Sequence, residues 1–249
     1  MSKTTSGETP RRADIALVER GHYPSRARAQ EAIAAGLVKA DGRPIRKASE
    51  PLPPGAAIEA EQPHPYVSRG GVKLAAALDA FRIDPEGCVC LDIGSSTGGF
   101  TEVLLRRGAA RVYAVDVGHG QLHPSLAKDP RVVSLESTDA RALTRDLIPE
   151  EADCLVSDVS FISLKLALPP AVPLLKPRAT LAILIKPQFE AGPAHVRKGI
   201  VRDEAVHTAV CEDIAHLVTA LGFTVIGLAP SPIAGGDGNR EFLLGARRA

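Results

Sequence analysis

From Cys88 to Ala246 the chain alternates between two periods of apolar residues, and this alternation most limits how it can fold. Cys88 to Ile93, Arg111 to Asp116, Val132 to Leu135, Asp153 to Val159 and Thr180 to Lys186 read as buried strands. Helical patterns lie between them, notably Gly98 to Arg107. A long amphipathic helix is expected from Asp203 to Leu221, stopped by Gly222, with strands at Phe223 to Ala229 and Glu241 to Ala246. Strand and helix in turn imply an α/β fold, a mostly parallel sheet with helices on both faces. In such sheets ligands bind beyond the carboxyl ends of the strands, where the strand order reverses.

Composition narrows the function classes. Apolar residues make up 45% and charged residues 24%, which excludes a wholly disordered chain. The longest apolar runs, such as Leu181-Ala182-Ile183-Leu184-Ile185, fall far short of the ~20 residues a membrane span needs. MSKTTSGETPRR has no apolar centre and reads as a disordered polar tail rather than a secretory signal. Cys88, Cys90, Cys154 and Cys211 form neither a CxxC pair nor a disulfide framework, as expected of buried thiols in a reducing cytoplasm. His119 and His123 lack the glutamate of HExxH, so no metal is implied.

Net charge is only +1, but it is unevenly spread. Arg11 to Ala48 holds nine Lys/Arg against four Asp/Glu. Asp14 to Arg20 patterns as a short helix stopped by Gly21, and Ser25 is a good N-cap for a second, Arg26 to Ala35. A short strand and an Asp41-Gly42 hairpin turn follow. Arg26 and Arg28 lie near the N-terminus of their helix, where cations do not offset its dipole. With Arg11, Arg12, Arg43, Arg46 and Lys47 they form an expected phosphate-binding footprint. Each alone could be a solvated surface charge. Pro51, Pro53, Pro54, Pro63 and Pro65 stiffen the connection that follows. The expected organisation is a tail at 1–10, a small α+β domain at 11–60, a linker at 61–67 and a second domain at 68–249.

Leu91-Asp92-Ile93-Gly94-Ser95-Ser96-Thr97-Gly98-Gly99-Phe100 runs a strand into a glycine-rich turn and then a helix. No lysine follows, so it is not a P-loop, and Ser96 replaces the second glycine of a dinucleotide fingerprint. Asp116 ends the next strand, where a carboxylate can accept both hydroxyls of a ribose. Together these features point to a bound nucleoside. Two further strands end on charge. Asp158 follows Val156-Ser157, and Lys186 follows the apolar run and precedes Pro187. A lysine so placed reads either as a snorkelling edge residue or as a desolvated base oriented by Asp158.

Tyr66-Val67-Ser68-Arg69-Gly70-Gly71-Val72-Lys73-Leu74, the Asp92 to Phe100 loop, Ser157 to Leu164, Lys186-Pro187-Gln188-Phe189-Glu190 and Gly238-Asn239-Arg240-Glu241-Phe242 together resemble the TlyA family. These are S-adenosylmethionine-dependent ribosomal RNA 2′-O-methyltransferases that also carry a hemolysin name. The resemblance covers about residues 11 to 247. It implies a seven-stranded, Rossmann-like class I methyltransferase sheet with an antiparallel last strand, behind an S-four (αL) RNA-binding domain.

The resemblance also implies a tetrad shared with FtsJ-type enzymes, mapping onto Lys73, Asp158, Lys186 and Glu241. Lys186 is the expected base or oxyanion stabiliser. Asp158 would orient it, and Lys73 and Glu241 would hold the hydroxyl. Asp92, Gly94, Ser95, Ser96, Thr97, Gly98 and Gly99 would cradle the methionine end of S-adenosylmethionine. Asp116 would bind its ribose, and Asp139 would sit near the adenine unless it is only a helix cap. Arg69 joins the RNA-binding set. Read from its residues, the polar loop with His195, Arg197, Lys198 and Arg202 is either one that closes over RNA or a merely solvated one. The resemblance implies a cytidine of large- or small-subunit rRNA as substrate, with the large subunit favoured because the chain stops at Ala249 where dual-activity members tend to run longer. The competing readings are a non-catalytic ribosome assembly factor, a hemolysin and a pseudouridine synthase. The complete tetrad, the absence of a spanning segment and the nucleoside site argue against them in that order.

Overall fold

The computed structural model describes residues 9–235 and 238–248, so most of the expected tail lies outside the described residues. The chain divides into two compact units between Pro65 and Tyr66.

The first unit begins with β1 (Arg11–Arg12), α1 (Ala13–Glu19) and α2 (Arg26–Ala34). It continues with β2 (Val38–Ala40), β3 (Arg43–Pro44), β4 (Pro51–Leu52) and β5 (Ile58–Ala60). Ser25 caps α2 by accepting a hydrogen bond from the Arg28 backbone N–H. β3, β2 and β5 form one small sheet, and β1 pairs with β4. Leu17, Tyr23, Ile33, Val38 and Leu52 fill the core between the helices and these strands.

The second unit opens with α3 (Gly70–Phe81), a helix the sequence pattern did not reveal. β6 (Val89–Ile93), α4 (Gly99–Arg106), β7 (Arg111–Val115), α5 (Pro124–Ala127) and β8 (Val132–Leu135) follow. Next come β9 (Ala152–Ser157), α6 (Leu164–Ala167), β10 (Leu175–Ile185), α7 (Pro187–Glu190) and α8 (Glu204–Ala220). β11 (Phe223–Pro230) and β12 (Phe242–Arg248) complete a seven-stranded sheet in the order β11-β12-β10-β9-β6-β7-β8. β6, β7, β8, β9 and β10 run parallel, and β12 is antiparallel to both neighbours. One face buries Leu155, Ile183 and Leu244 with Ile214 and Val218 of α8. The other buries Cys90, Val156 and Leu184 with Leu74 and Leu78 of α3 and Leu104 of α4.

The chain enters the sheet at β6, runs outward through β7 and β8, then returns to the other side of β6 as β9. The order therefore reverses between β6 and β9, where a ligand is expected. Register aligns the edge: Ile93 pairs with Ser157, Ser157 with Ile183, and Ile185 with Phe242. Because β12 runs antiparallel, its beginning meets the ends of β9 and β10. Residues 94, 158, 186 and 241 thus share one sheet edge.

Candidate active site

Two clefts open along this edge. The larger, about 750 Å³, is lined by Gly94, Ser96, Asp116, Gly118, Asp139 and Asp158, among others. Its size falls within the roughly 300–1,000 Å³ usual for small-molecule sites. The smaller, about 290 Å³, is lined by Arg69, Lys73, Asp158, Ser160, Lys186 and Glu241, with the glycine turn as its floor. Gly94, Ser96, Asp158 and Ser160 line both.

The glycine turn is built by backbone geometry. Gly94 has φ +84°, and a Cβ there would lie 2.9 Å from the Asp158 carbonyl oxygen. No side chain fits, so the ends of β6 and β9 approach closely. Ser96 is also left-handed at φ +46°, and its N–H donates to Asp116 Oδ2 at 2.8 Å. Asp116 Oδ1 accepts from the Gly118 N–H at 2.7 Å, so this carboxylate organises the loops on both sides of the larger cleft. Glu136, which the sequence did not single out, accepts from the N–H groups of Gly120, Gln121 and Leu122. Those amides hold its carboxyl below the usual range.

Asp92 lies behind the turn, fully buried, and lines neither cleft. Thr101 donates to its Oδ2 at 2.6 Å, while Oδ1 is buried without a partner. Burial outweighs the Thr101 hydrogen bond and pushes the carboxyl up to about 7. Ser95, Thr97 and Gly99 line the smaller cleft rather than the larger. Gly98 instead packs against Leu122 and Leu126. Asp139 lines the larger cleft and also caps the turn Ala140–Ala142, accepting from the Arg141 N–H at 2.8 Å. Its hydrogen bonds with the Arg141 side chain hold it at about 2.

The structure brings Lys73, Asp158, Lys186 and Glu241 into the smaller cleft as two ion pairs. Lys73 Nζ lies 2.5 Å from Glu241 Oε2, with both side chains buried. Lys186 Nζ lies 2.7 Å from Asp158 Oδ1, 2.8 Å from Ser160 Oγ and 3.4 Å from the Asp158 carbonyl oxygen. Ser160 Oγ and the Asp158 carbonyl accept hydrogen bonds from Nζ, while Asp158 Oδ1 faces it as an ion-pair contact. Lys73 comes from the first turn of α3. Its neighbour Gly71 is required there, because a Cβ would lie 2.4 Å from the Tyr66 ring.

Phe161 is the site residue the sequence reading overlooked. It is 91% exposed, lines the larger cleft, and has φ +65°, a strained conformation for a bulky residue. Its ring lies 5.1 Å from that of Phe189, three residues after Lys186. An aromatic three residues after Asp158 was the available signal.

The expected RNA-binding residues divide within the first unit. Arg43, Arg46 and Lys47 are exposed and make no ion pair among the described residues. Arg11 pairs with Glu19. Arg12 and Arg26 both bond to the buried Asp14, at 3.0 and 2.9 Å, with their outer edges in solvent. Arg28 corrects the expectation. It shares the inward face of α2 with Ala29, Ala32 and Ile33, is buried, and donates to Gln62 at 3.2 Å and to His64. In the second unit, Arg69 stands exposed at the mouth of the smaller cleft.

Known proteins bear directly on this arrangement. The FtsJ-like methyltransferase family matches residues 66–248, and the S4 domain family matches residues 11–58. The chain is 45% identical to the 16S/23S rRNA (cytidine-2′-O)-methyltransferase TlyA of Mycobacterium tuberculosis, over 95% of this chain and 89% of that one. It is 40% identical to hemolysin A of Brachyspira hyodysenteriae, over 93% and 98%. A solved Streptococcus thermophilus structure that carries a hemolysin name is 39% identical, with a TM-score of 0.77, over 98% of this chain and 90% of that one. Among the described residues no helix is long and apolar enough to cross a membrane. The chain therefore belongs to the TlyA family, an FtsJ-like methyltransferase with an S4 domain at its N-terminal end.

Proposed function

We propose that the protein transfers a methyl group from S-adenosylmethionine to the ribose 2′-hydroxyl of a cytidine in ribosomal RNA. One observation carries the reading. Asp158 lines both clefts, and the Lys186 paired with it projects into the smaller one. A donor in one cleft and an acceptor in the other would meet at Asp158.

The residues present suit the cofactor. Asp116 and Asp139 can accept from hydroxyl and amino groups of a nucleoside, and Gly94 leaves the turn open to close approach. Asp92, expected to touch the cofactor, instead lies behind the turn and lines neither cleft, so it can only support the turn from within. When bound, S-adenosylmethionine supplies an electrophilic methyl group on a sulfonium.

A ribose hydroxyl is a weak nucleophile and must lose its proton as it attacks. The Asp158 carboxylate would take up the hydroxyl's proton, while the Lys186 ammonium holds the oxygen and shields the developing oxyanion. Ser160 keeps Lys186 aimed into the cleft. The Lys73–Glu241 pair closes the opposite wall and fixes the acceptor in line, which supplies much of the rate. As the O–CH₃ bond forms and the S–CH₃ bond breaks, the proton passes through the pair to solvent. Phe161 offers an exposed ring on which the base of the target nucleotide can stack. Arg69, with Arg43, Arg46 and Lys47 of the first unit, would contact RNA phosphates.

The TlyA proteins of M. tuberculosis and Campylobacter jejuni are both named for 23S rRNA, so the large subunit is the first substrate to test. Radiolabelled S-adenosylmethionine should label large-subunit rRNA in unmethylated subunits. Lys186→Ala should abolish the label while cofactor binding persists. Label in neither subunit, with the cofactor bound, would favour a non-catalytic ribosome-binding role.

A further inference from the structure

The loop after α7 is held in one shape. Pro193–His195 form a short 3₁₀ turn, and Arg197 and Ile200 then pair across a tight hairpin. The Arg197 N–H donates to the Ile200 carbonyl at 3.0 Å, and the return bond is 3.1 Å. Lys198 and Gly199, at φ +52° and +76°, form the two left-handed corners. Asn239, only 3% exposed, fixes this turn from beneath. Its amide donates to the Gly199 carbonyl at 2.8 Å and accepts from the Val201 N–H at 3.3 Å. The Val201 carbonyl meets His207 Nε2 at 3.0 Å.

The turn displays Arg197 and Lys198 to solvent, and Arg202 follows, all without an ion pair among the described residues. Charges that served only solubility would need no such anchor. A buried amide is tolerated only when it is satisfied, and this one is satisfied by the backbone of a basic turn. Asn239 also precedes Glu241 by two residues, at most ~7 Å of extended chain. The fixed cations therefore lie within a few nucleotides of any ribose at the tetrad.

We infer that the Arg197–Ile200 turn is a preformed finger that contacts phosphates of the RNA strand carrying the target ribose, with Asn239 as its positioning residue. The inference rests on the RNA methyltransferase reading. It replaces the expected closing loop with a fixed one.

The test uses full-length protein and unmethylated large ribosomal subunits, with affinity measured across a salt series. Arg197→Ala/Lys198→Ala should lower the slope of log affinity against log salt by about 1.4–1.8, the counterion release of two phosphates. Affinity for S-adenosylmethionine should not move. Lys176→Ala/Arg178→Ala, two cations at the opposite end of β10, should leave the slope alone. Asn239→Ala should weaken RNA binding in the wild-type background but not in the Arg197→Ala/Lys198→Ala background. Its loss of thermal stability should be equal in both. An unchanged slope, or an equal fall in the Lys176→Ala/Arg178→Ala variant, overturns the finger while the methyltransferase reading stands. A wild type that methylates neither subunit removes both readings, and shows it before any variant is made.

Discussion

Ser163 Oγ donates to Glu190 Oε2 at 2.5 Å, tying the fifth residue after Asp158 to the fourth after Lys186. The Leu164 N–H donates to the other carboxylate oxygen at 2.8 Å. With the Phe161–Phe189 ring contact and the Lys186–Ser160 hydrogen bond, the loops after β9 and β10 are joined at three levels. The spacing of these two segments is thus mechanical: their residues meet one after another beyond the ends of two adjacent parallel strands.

Glu190→Ala should loosen the Lys186–Asp158 pair more than the larger cleft, where it frees only Ser163 at the rim and leaves Asp116 and Asp139 in place. The expected result is a fall in kcat of about 10- to 100-fold, the scale of an ångström-sized misplacement. Glu190→Gln, which can still accept from Ser163, should fall less. Isothermal titration with S-adenosylmethionine should give nearly wild-type affinity for both. A loss of cofactor affinity matching the loss of kcat would contradict this.

Asp92 should make the cofactor-free protein less stable as pH rises. Its carboxyl is pushed from the ordinary range up to about 7 by burial, so the folded state favours the protonated form. That stability is fully present below about pH 4 and is lost as pH rises through about 7. The difference from an ordinary carboxyl corresponds to about 4 kcal/mol. Asp92→Asn should lack this component, so its stability relative to wild type should climb across that window and then level off. Chemical denaturation at several pH values measures the difference.

The two ion pairs should respond differently to loss of their lysines. Glu241 is 2% exposed at its side chain, so Lys73→Met strands a buried carboxylate and should cost about 3–5 kcal/mol of stability. Lys73→Met/Glu241→Gln should recover most of that stability and no activity. Lys186→Met should be milder in a urea melt, because Asp158 keeps more access to water. Equal destabilisation by the two single variants would overturn the distinction.

Phe161→Ala should impair RNA methylation with almost no change in melting temperature, because the ring is exposed and little packing is lost. Base stacking on an aromatic ring is worth about 1–3 kcal/mol, or roughly 5- to 150-fold in kcat/KM for RNA. Phe161→Tyr should retain most of the rate. A full-rate Phe161→Ala enzyme would leave the ring without a role in substrate binding.

Strand ends were the legible part of this molecule. Asp158 and Lys186 stand where apolar runs stop, and a run of five apolar residues before a lysine and a proline has few other meanings. β10 nonetheless begins at Leu175 rather than Thr180, because Lys176, Pro177 and Arg178 interrupt the pattern and the register shifts there. α3 escaped notice because the glycine pair Gly70-Gly71 argues against a helix. Its reason is tertiary, the Tyr66 ring lying where a Cβ would be. Arg28 was misread because its position near the helix start was weighed and its helical face was not. Ala32, one turn on, marked that face as inward. Glu241 could be joined to the lysines only through the family resemblance, since no local pattern announces that β12 runs backwards.

The place of β12 also sets the order in which the enzyme becomes competent. It is the last strand in sequence among the described residues, yet it lies inside the sheet, between β10 and β11. Until it inserts, both neighbours present bare hydrogen-bonding edges and the tetrad lacks Glu241. Closing the sheet and bringing Glu241 to Lys73 are one event, so on the proposed reading the chain gains its activity only when β12 joins β10 and β11.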